Sequence, residues 1–310
     1  MCGICGAFQF QDSNFKVTPE FIESMRDTMI HRGPDGGDTW VSFNKKIGFG
    51  HRRLSIIDLS DSASQPMSNN DQSIWLTYNG EIYNHAEIRR ELQVLSDEGQ
   101  IAPIHWKTDH SDTEVVLRAY EVWGIDCVEK FRGMFAFAIW DEKAGHLWLA
   151  RDRSGIKPLY YSIHNGRVVF ASEIKALLKD SQQKREVNEE AFYHYLSFLT
   201  TPAPDSLFAG VKKLPGGHWL KVSSKGEVEE RRYWDVWDHT QDLTRASEEQ
   251  VAEMILDELR TAVKYRKVSD VPVGVFLSGG IDSSTNAALF SEGEKQRIKT
   301  FSIGYDADYG

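Results

Sequence analysis

Through about residue 180, apolar positions come in short alternating or continuous runs bounded by Gly, Asp and Asn, a period near two that predicts strands. The expected strands are Ile4–Phe10, Ile47–Ile57, Ser73–Tyr78, Met134–Trp140, Leu147–Ala150, Leu159–Ile163 and Val168–Ala171. Two pairs read as hairpins, one closed by Asp141–Gly145 and one by Asn165–Gly166, a dipeptide suited to a tight turn with positive φ at both residues. The pattern is antiparallel. Two stretches change to a period of 3.6 and predict helices. Asn84–Leu95 carries Ile88, Leu92 and Leu95 on one face, and Thr113–Trp123 carries Val116, Ala119, Tyr120 and Trp123. Gly124 stops the second helix.

Between about 190 and 245 the chain is punctuated by Thr201–Pro202–Ala203–Pro204 and Leu214–Pro215–Gly216–Gly217, followed by the charged, aromatic Glu229–Asp238, which together read as a bridge. A helix then opens on a capping box, Ser247 to Gln250, with Val251, Ile255, Leu259 and Ala262–Val263 on one stripe. The apolar run Val271–Leu277, a Ser/Gly turn, a helical segment at Ala287–Leu289 and the run Thr300–Ile303 follow the grammar of a parallel α/β unit. A single such unit is too small to stand alone, so the second domain is expected to be incomplete. The expected division is 2–190, a bridge over 191–245, and 246–310.

Composition narrows the class. The 310 residues are 41% hydrophobic and 26% charged, as in folded globular chains. A net charge of −10 repels phosphate backbones and anionic lipid, so neither nucleic acid nor a membrane surface is an expected partner. No apolar run approaches the ~18 residues of a membrane helix, and the first residues lack a secretory pattern. Three cysteines, Cys2, Cys5 and Cys127, are too few for a disulfide framework and fit a reducing, cytoplasmic compartment.

The position of Cys2 is the strongest chemical signal. Removal of Met1 would give a thiol and a free α-amine on one residue, and an amine with a pKa of about 8 can take the thiol proton near neutrality. Gly3 and Gly6 are expected to leave the backbone beside the thiol open to substrate. The competing readings of Cys2 and Cys5 are a metal or redox pair and an inert buried thiol. Only Cys127 remains as a further thiol ligand, and Ile4–Phe10 reads as a strand where a redox pair opens a helix, so the nucleophile is preferred.

Cys2–Gly3–Ile4–Cys5–Gly6, His31–Arg32–Gly33–Pro34–Asp35, Arg53–Leu54–Ser55–Ile56–Ile57, Tyr78–Asn79–Gly80–Glu81–Ile82–Tyr83–Asn84 and Ser111–Asp112–Thr113–Glu114 occur in that order. Together they closely resemble the glutaminase half of the glutamine-hydrolysing asparagine synthetases. The resemblance implies an α+β N-terminal-nucleophile domain, an αββα sandwich, followed by the start of an α/β parallel-sheet nucleotide-binding domain. It implies that Cys2 attacks the side-chain amide of glutamine, that the Asn79 side chain and the Gly80 amide hold the oxyanion, and that Arg53 meets the substrate carboxylate. Glu81 and Asp112 would hold its ammonium and amide ends, and the backbone of Arg53, Leu54, Ser55, Ile56 and Ile57 would line the pocket. The His31–Asp35 loop is expected to scaffold the nucleophile. Taken singly, Asn79–Gly80 reads as a turn, Asp112 as an acidic first-turn residue of a helix with a Ser111 to Glu114 capping box, and Arg53 as a solvated strand residue.

Ser278–Gly279–Gly280–Ile281–Asp282–Ser283–Ser284 lies between an apolar strand and a helix, a setting in which backbone amides and hydroxyls bind phosphate. It has neither the Walker lysine nor the dinucleotide glycine pattern, and alone it also reads as a plain Ser/Gly turn capped by Asp282. It is similar to the loop of ATP pyrophosphatases. That likeness implies ATP bound by Leu277, Ser278, Gly279, Gly280, Asp282, Ser283, Ser284 and Ile303, with Asp282 helping to hold Mg²⁺. Together the two resemblances imply amidation of an adenylated carboxylate, aspartate in the family, by ammonia made at Cys2, giving asparagine, AMP and pyrophosphate. Another acceptor carboxylate, such as a sugar uronic acid or a secondary-metabolite acid, and a non-catalytic glutamine sensor are the rivals, and a homodimer is left open.

Overall fold

In the computed structural model, which describes residues 1–11 and 15–304, the chain divides into two compact units, Met1–Asp238 and His239–Gly310. The first is built on twelve strands: β1 Gly3–Gln9, β2 Gly36–Val41, β3 Ile47–Arg53, β4 Met67–Ser68, β5 Ile74–Ile82, β6 Gly133–Asp141, β7 His146–Arg151, β8 Tyr160–His164, β9 Arg167–Ala171, β10 Lys212–Lys213, β11 His218–Ser223 and β12 Val228–Arg232. They form two six-stranded sheets, ordered β10-β8-β9-β1-β3-β2 and β12-β11-β7-β6-β5-β4, with every pairing antiparallel. Its helices are α1 Pro19–Arg26, α2 His85–Asp97, α3 Asp112–Trp123, α4 Cys127–Lys130, α5 Ile174–Leu177 and α6 Glu189–Phe198.

The period-two pattern accounts for the layers. On β1, Ile4 and Phe8 join Phe49 and Phe170 against Ala136, Ala138, Leu149 and Leu220 of the opposite sheet, while Cys5 and Ala7 face Ile22 and Met25 of α1. On β6, Ala136 and Ala138 meet the first sheet and Phe135, Phe137 and Ile139 meet α2 and α3 through Ile88, Leu92 and Val116. Strands buried on both faces hold the sandwich together, each ring withdrawn from water contributing roughly 2–3 kcal/mol. This is the expected αββα arrangement.

The glycines beside the nucleophile serve packing. A Cβ on Gly6 would lie 2.5 Å from the Phe170 ring, and one on Gly3 would lie 3.1 Å from Met29 Cβ. Both face protein, which corrects the expectation that they open a path for substrate.

Two boundaries also move. Residues 191–238 belong to the first unit, because β11 pairs with β7 inside the second sheet and buries Trp219, Leu220 and Val222. The expected limit at 190 therefore falls inside the first unit, and of the expected bridge only 239–245 falls in the second. The Ser111 to Glu114 capping box does not form: the Glu114 carboxylate instead accepts the amides of Lys107 and Thr108 and pairs with Arg118.

The second unit contains α7 Glu248–Tyr265, β13 Gly274–Phe276, α8 Ile281–Ser291 and β14 Lys299–Phe301, with β13 and β14 parallel. The Ser247–Gln250 capping box forms as expected. Leu289 is the only buried apolar side chain of this unit among the described residues. The last six positions of the expected 246–310 domain lie outside the described residues. No described helix is long and apolar enough to cross a membrane.

Candidate active site

Cys2 immediately precedes β1, and the register Gly3↔Arg52 places it beside the residues that follow β3. Its Sγ accepts the Leu54 amide at 3.3 Å and points its proton at the Leu54 carbonyl at 3.6 Å. The Arg32 Nε holds the Cys2 carbonyl at 2.9 Å, and Asp35 accepts the Ser55 amide at 2.8 Å, so the His31–Asp35 loop ties both sides of the thiol in place. Burial pushes the Cys2 thiol above its ordinary pKa, against the Leu54 amide and the positive N-terminus, which favour the thiolate. A neutral thiol needs a base. The terminal amine of this chain is that of Met1, shifted below 8.0 chiefly by burial, and the Cys2 amine becomes available as a base only once Met1 is removed. Cys5 is a different kind of residue: buried under α1, its thiol is pushed up to about 12 by desolvation.

A cavity of about 480 Å³, counting its open mouth, joins Cys2 to Asn79, Gly80, Glu81 and Asp112. Its floor is the edge of β5. Strand β4 covers that edge only opposite Trp75 and Leu76, and side chains take over beyond it. The Tyr78 amide donates to Gln65 Oε1 at 2.7 Å and its carbonyl accepts from His51 Nε2 at 3.1 Å. Four residues on, the Ile82 amide donates to Asp112 Oδ2 at 3.1 Å and its carbonyl accepts from His85 Nδ1 at 2.9 Å. Backbone groups in a strand alternate sides, so Gly80 presents its N–H along the same edge, midway between two capped neighbours. No side chain among the described residues caps it. His51 donates as a neutral imidazole, because burial pushes its pKa down to about 3.

Asn79 completes the gap. It is 1% exposed, lines the cavity, and its Nδ2 has no hydrogen-bond partner among the described residues. A buried amide left unsatisfied costs roughly 1–3 kcal/mol, so a pocket of this kind is built for an acceptor that arrives with the ligand. Asn79–Gly80 is not a turn: both residues lie within β5, and a Cβ on Gly80 would come 2.4 Å from the Met134 carbonyl on β6.

Arg53, Leu54, Ile56 and Ile57 line the same cavity. Ser55 does not; it borders a neighbouring cleft with Asp35, Asp38 and His51. The Arg53 guanidinium already donates to the carbonyls of Ser60, at 2.8 Å, and Asp58, which fixes its plane and leaves its remaining N–H groups for a ligand. Glu81 is half-buried, and desolvation raises its carboxyl pKa. Asp112 is buried at the first turn of α3, raised in the same sense by desolvation while Tyr78 OH, at 2.8 Å, and the Ile82 amide oppose the shift. Sequence reasoning missed Gln65, Tyr78, Thr113 and Lys157, which also line the cavity. Gln65 and Lys157 come from loops with no periodicity to mark them. Tyr78 stands inside the motif but reads as a core aromatic.

In the second unit, the turn after β13 has Gly279 at φ +84°, with open space where a Cβ would stand, and Gly280 as the uncapped N-cap of α8. The first amides of α8 thus face an unobstructed loop. Ser278 and Ser283 share a hydroxyl contact of 3.0 Å that folds the turn, and the Leu277 amide donates to the Phe301 carbonyl at 2.8 Å. Asp282 lies in the first turn of α8 with Ser283 and Ser284, and Ile303, just past β14, is exposed.

An antiparallel sandwich with a thiol ahead of a central strand and an amide gap facing it is the N-terminal-nucleophile fold of class II glutamine amidotransferases. Its likeness to glutamine phosphoribosylpyrophosphate amidotransferase of Bacillus subtilis, a TM-score of 0.54 at 18% identity over 94% of this chain and 64% of that one, shows the same fold. The glutamine amidotransferase domain family matches residues 1–234, and the asparagine synthase family matches 254–310. Asparagine synthetase [glutamine-hydrolyzing] 1 of B. subtilis is 38% identical over 99% of this chain and 46% of its own length. A putative asparagine synthetase [glutamine-hydrolyzing] 2 of Methanocaldococcus jannaschii is 36% identical over 100% of this chain and 61% of its own. Amidase chry2 of Gibberella zeae is 36% identical over 92% of this chain and 40% of its own. The chain belongs to the glutamine amidotransferase domain family and groups, through both of its units, with the glutamine-hydrolysing asparagine synthetases. It spans about half the length of the curated relatives it matches.

Proposed function

We propose that the first unit hydrolyses glutamine at Cys2, and that the ammonia released amidates a carboxylate activated by ATP. The observation that carries the reading is the orphaned Asn79 Nδ2 beside the uncapped Gly80 edge, in one cavity with Cys2 Sγ. The thiol proton passes to the Cys2 α-amine as sulfur bonds to the side-chain amide carbon. Asn79 Nδ2 and the Gly80 N–H then hold the oxyanion. Collapse breaks the C–N bond, the ammonium proton leaves with ammonia, and water cleaves the thioester to glutamate. Arg53 anchors the substrate carboxylate through its remaining N–H groups, and Glu81 and Asp112 hold its ammonium and amide ends. Met1 lines the same cavity, so its removal both frees the amine and widens the space beside sulfur.

Asn79→Ala removes one of two oxyanion donors and is expected to lower the turnover number for glutamate release by about 10²–10³-fold, with a smaller change in KM. An unchanged turnover number would refute the assignment. The base makes a second prediction. An exposed Cys2 α-amine is free base above the ordinary α-amine pKa of about 8 and protonated below it. Glutaminase activity should therefore rise with pH through a midpoint near 8 and then level off, on the order of the ordinary amine value. The pH profile of kcat/KM checks this, and retention of Met1 should abolish activity across the range.

For the second unit, the open Gly279–Gly280 turn and the uncapped α8 fit a phosphate group, and Ser278, Ser283 and Ser284 add hydroxyls. Bound there, ATP would supply the adenylyl group that activates the acceptor carboxylate, with pyrophosphate as the leaving group. Leu277 and Ile303 would border its base, and Asp282, one carboxylate, would share Mg²⁺ with the phosphates, the way Mg²⁺ is commonly held. Aspartate is the proposed acceptor, giving asparagine, AMP and pyrophosphate. The amidases among the relatives favour a second reading in which another carboxylic acid is amidated.

A further inference from the structure

Lys157 stands out among the charged side chains of the first unit. It is 3% exposed and lines the cavity that holds Cys2 and Glu81, and among the described residues its ammonium makes no hydrogen bond or ion pair. A cation withdrawn from water weakens a fold unless its surroundings compensate it. The loop that carries it is nevertheless built to hold it there. Asp152, 1% exposed, accepts the amides of Phe135, Ile156 and Lys157 at 3.1, 2.8 and 2.9 Å. Arg151 donates to the carbonyls of Lys157, Gly155 and Leu214 at 2.7, 2.6 and 2.6 Å. From outside, Gly216 and Gly217 press on the loop: the Gly217 amide donates to the Asp152 carbonyl at 2.8 Å, and a Cβ on Gly216 would lie 2.7 Å from the Gly155 nitrogen.

We propose that Lys157 is an electrostatic partner of the nucleophile, a cation fixed beside Cys2 to favour the thiolate over the thiol. The inference rests on the glutaminase reading of Cys2. Around the sulfur stand the terminal amine and Arg53 as positive groups, Asp112 and Glu81 as negative ones, and the Tyr78 hydroxyl, while Arg32 is spent on the Cys2 carbonyl. Arg53 is committed to the Asp58 and Ser60 carbonyls, so Lys157 is the pocket side chain whose positive charge is not already engaged. Burial lowers the Lys157 pKa, and the facing Glu81 and Cys2 oppose that shift. Lysine and sulfur thus stabilise each other's charged forms, and the cation that weakens the fold strengthens the nucleophile.

The test is the pH dependence of Cys2 alkylation by iodoacetamide, read by mass on the N-terminal peptide so that Cys5 and Cys127 do not contribute. It is run on the wild-type chain and on Lys157→Met, Lys157→Gln and Lys157→Arg. With either neutral variant the alkylation midpoint should rise by about one pH unit, the scale of one nearby charge. The melting temperature should hold or increase, since a desolvated charge is removed. Lys157→Arg should return the profile toward wild type. An alkylation profile unmoved by the neutral variants overturns the proposal, whether the melting temperature falls, as for a structural lysine, or the KM for glutamine rises, as for a carboxylate anchor. Absence of glutamate release from wild type would instead defeat the glutaminase reading while leaving the alkylation result interpretable.

Discussion

Cys2→Ala is expected to lower glutamate release from glutamine by on the order of 10⁴-fold or more, the usual scale for loss of a covalent nucleophile. The fold should survive. Among the described residues Sγ makes two hydrogen bonds, both to Leu54, and the backbone at Cys2 is held independently by Arg32. On the proposed function, amidation driven by added ammonia should persist, because that step would take ammonia and not the thiol. Parallel assays with glutamine and with an ammonium salt separate the outcomes. Equal loss of both activities would contradict a division of labour between Cys2 and the Ser278–Ser284 loop.

The second large effect is on stability. Arg167 is 1% exposed and its guanidinium meets the Asp180 carboxylate through Nε at 2.8 Å and Nη2 at 2.6 Å, with His164 Nε2 at 3.1 Å on the same carboxylate. Burial alone would raise the Asp180 pKa; the bonds from His164, the Gln182 amide and Arg167 outweigh it and hold the carboxyl below its ordinary value. Asp180→Ala leaves the guanidinium buried and uncompensated and should cost roughly 3–5 kcal/mol. In a unit of this size that is a fall of roughly 10 °C in melting temperature, measurable by calorimetry. The sign with pH follows from the depressed pKa. The pair's contribution is present above the unfolded carboxylate value, near 4, and is lost as pH falls through the lower folded value. A wild-type melting temperature that falls in acid no faster than that of Asp180→Ala would contradict this.

The interior of the fold was legible in the sequence, and its margins were not. Asn165–Gly166 has φ of +47° and +72° and closes the β8–β9 hairpin as the dipeptide announced. Of the strands missed, β2, β4, β10 and β12 are the four outer strands of the two sheets. An outer strand has less to bury and leaves no alternation: Val228–Arg232 is exposed at every position. Met67–Ser68 and Lys212–Lys213 are too short for any period to show. Strand β11 was hidden differently, because Leu214–Gly217 carries the Pro/Gly signature of a linker while packing against the Arg151–Lys157 loop.

The site divides in the same way. Residue type and order pointed to Cys2, Asn79, Gly80, Glu81 and Asp112, and the cavity brings them together. What the order could not convey is the direction of backbone groups. The availability of Gly80 depends on Gln65, His51, Asp112 and His85 closing the positions on either side, four residues brought to one strand edge from different parts of the chain. Lys157 likewise follows an irregular turn whose shape is set by hydrogen bonds to Asp152.

The most direct measurement of the central claim is the mass of the N-terminal peptide after reaction of the purified protein with an electrophilic glutamine analogue. The expected result is a peptide that begins at Cys2, carries one adduct on that residue, and is protected from labelling by excess glutamine. A peptide that still begins at Met1 and carries no adduct, or labelling that glutamine does not slow, would contradict the account.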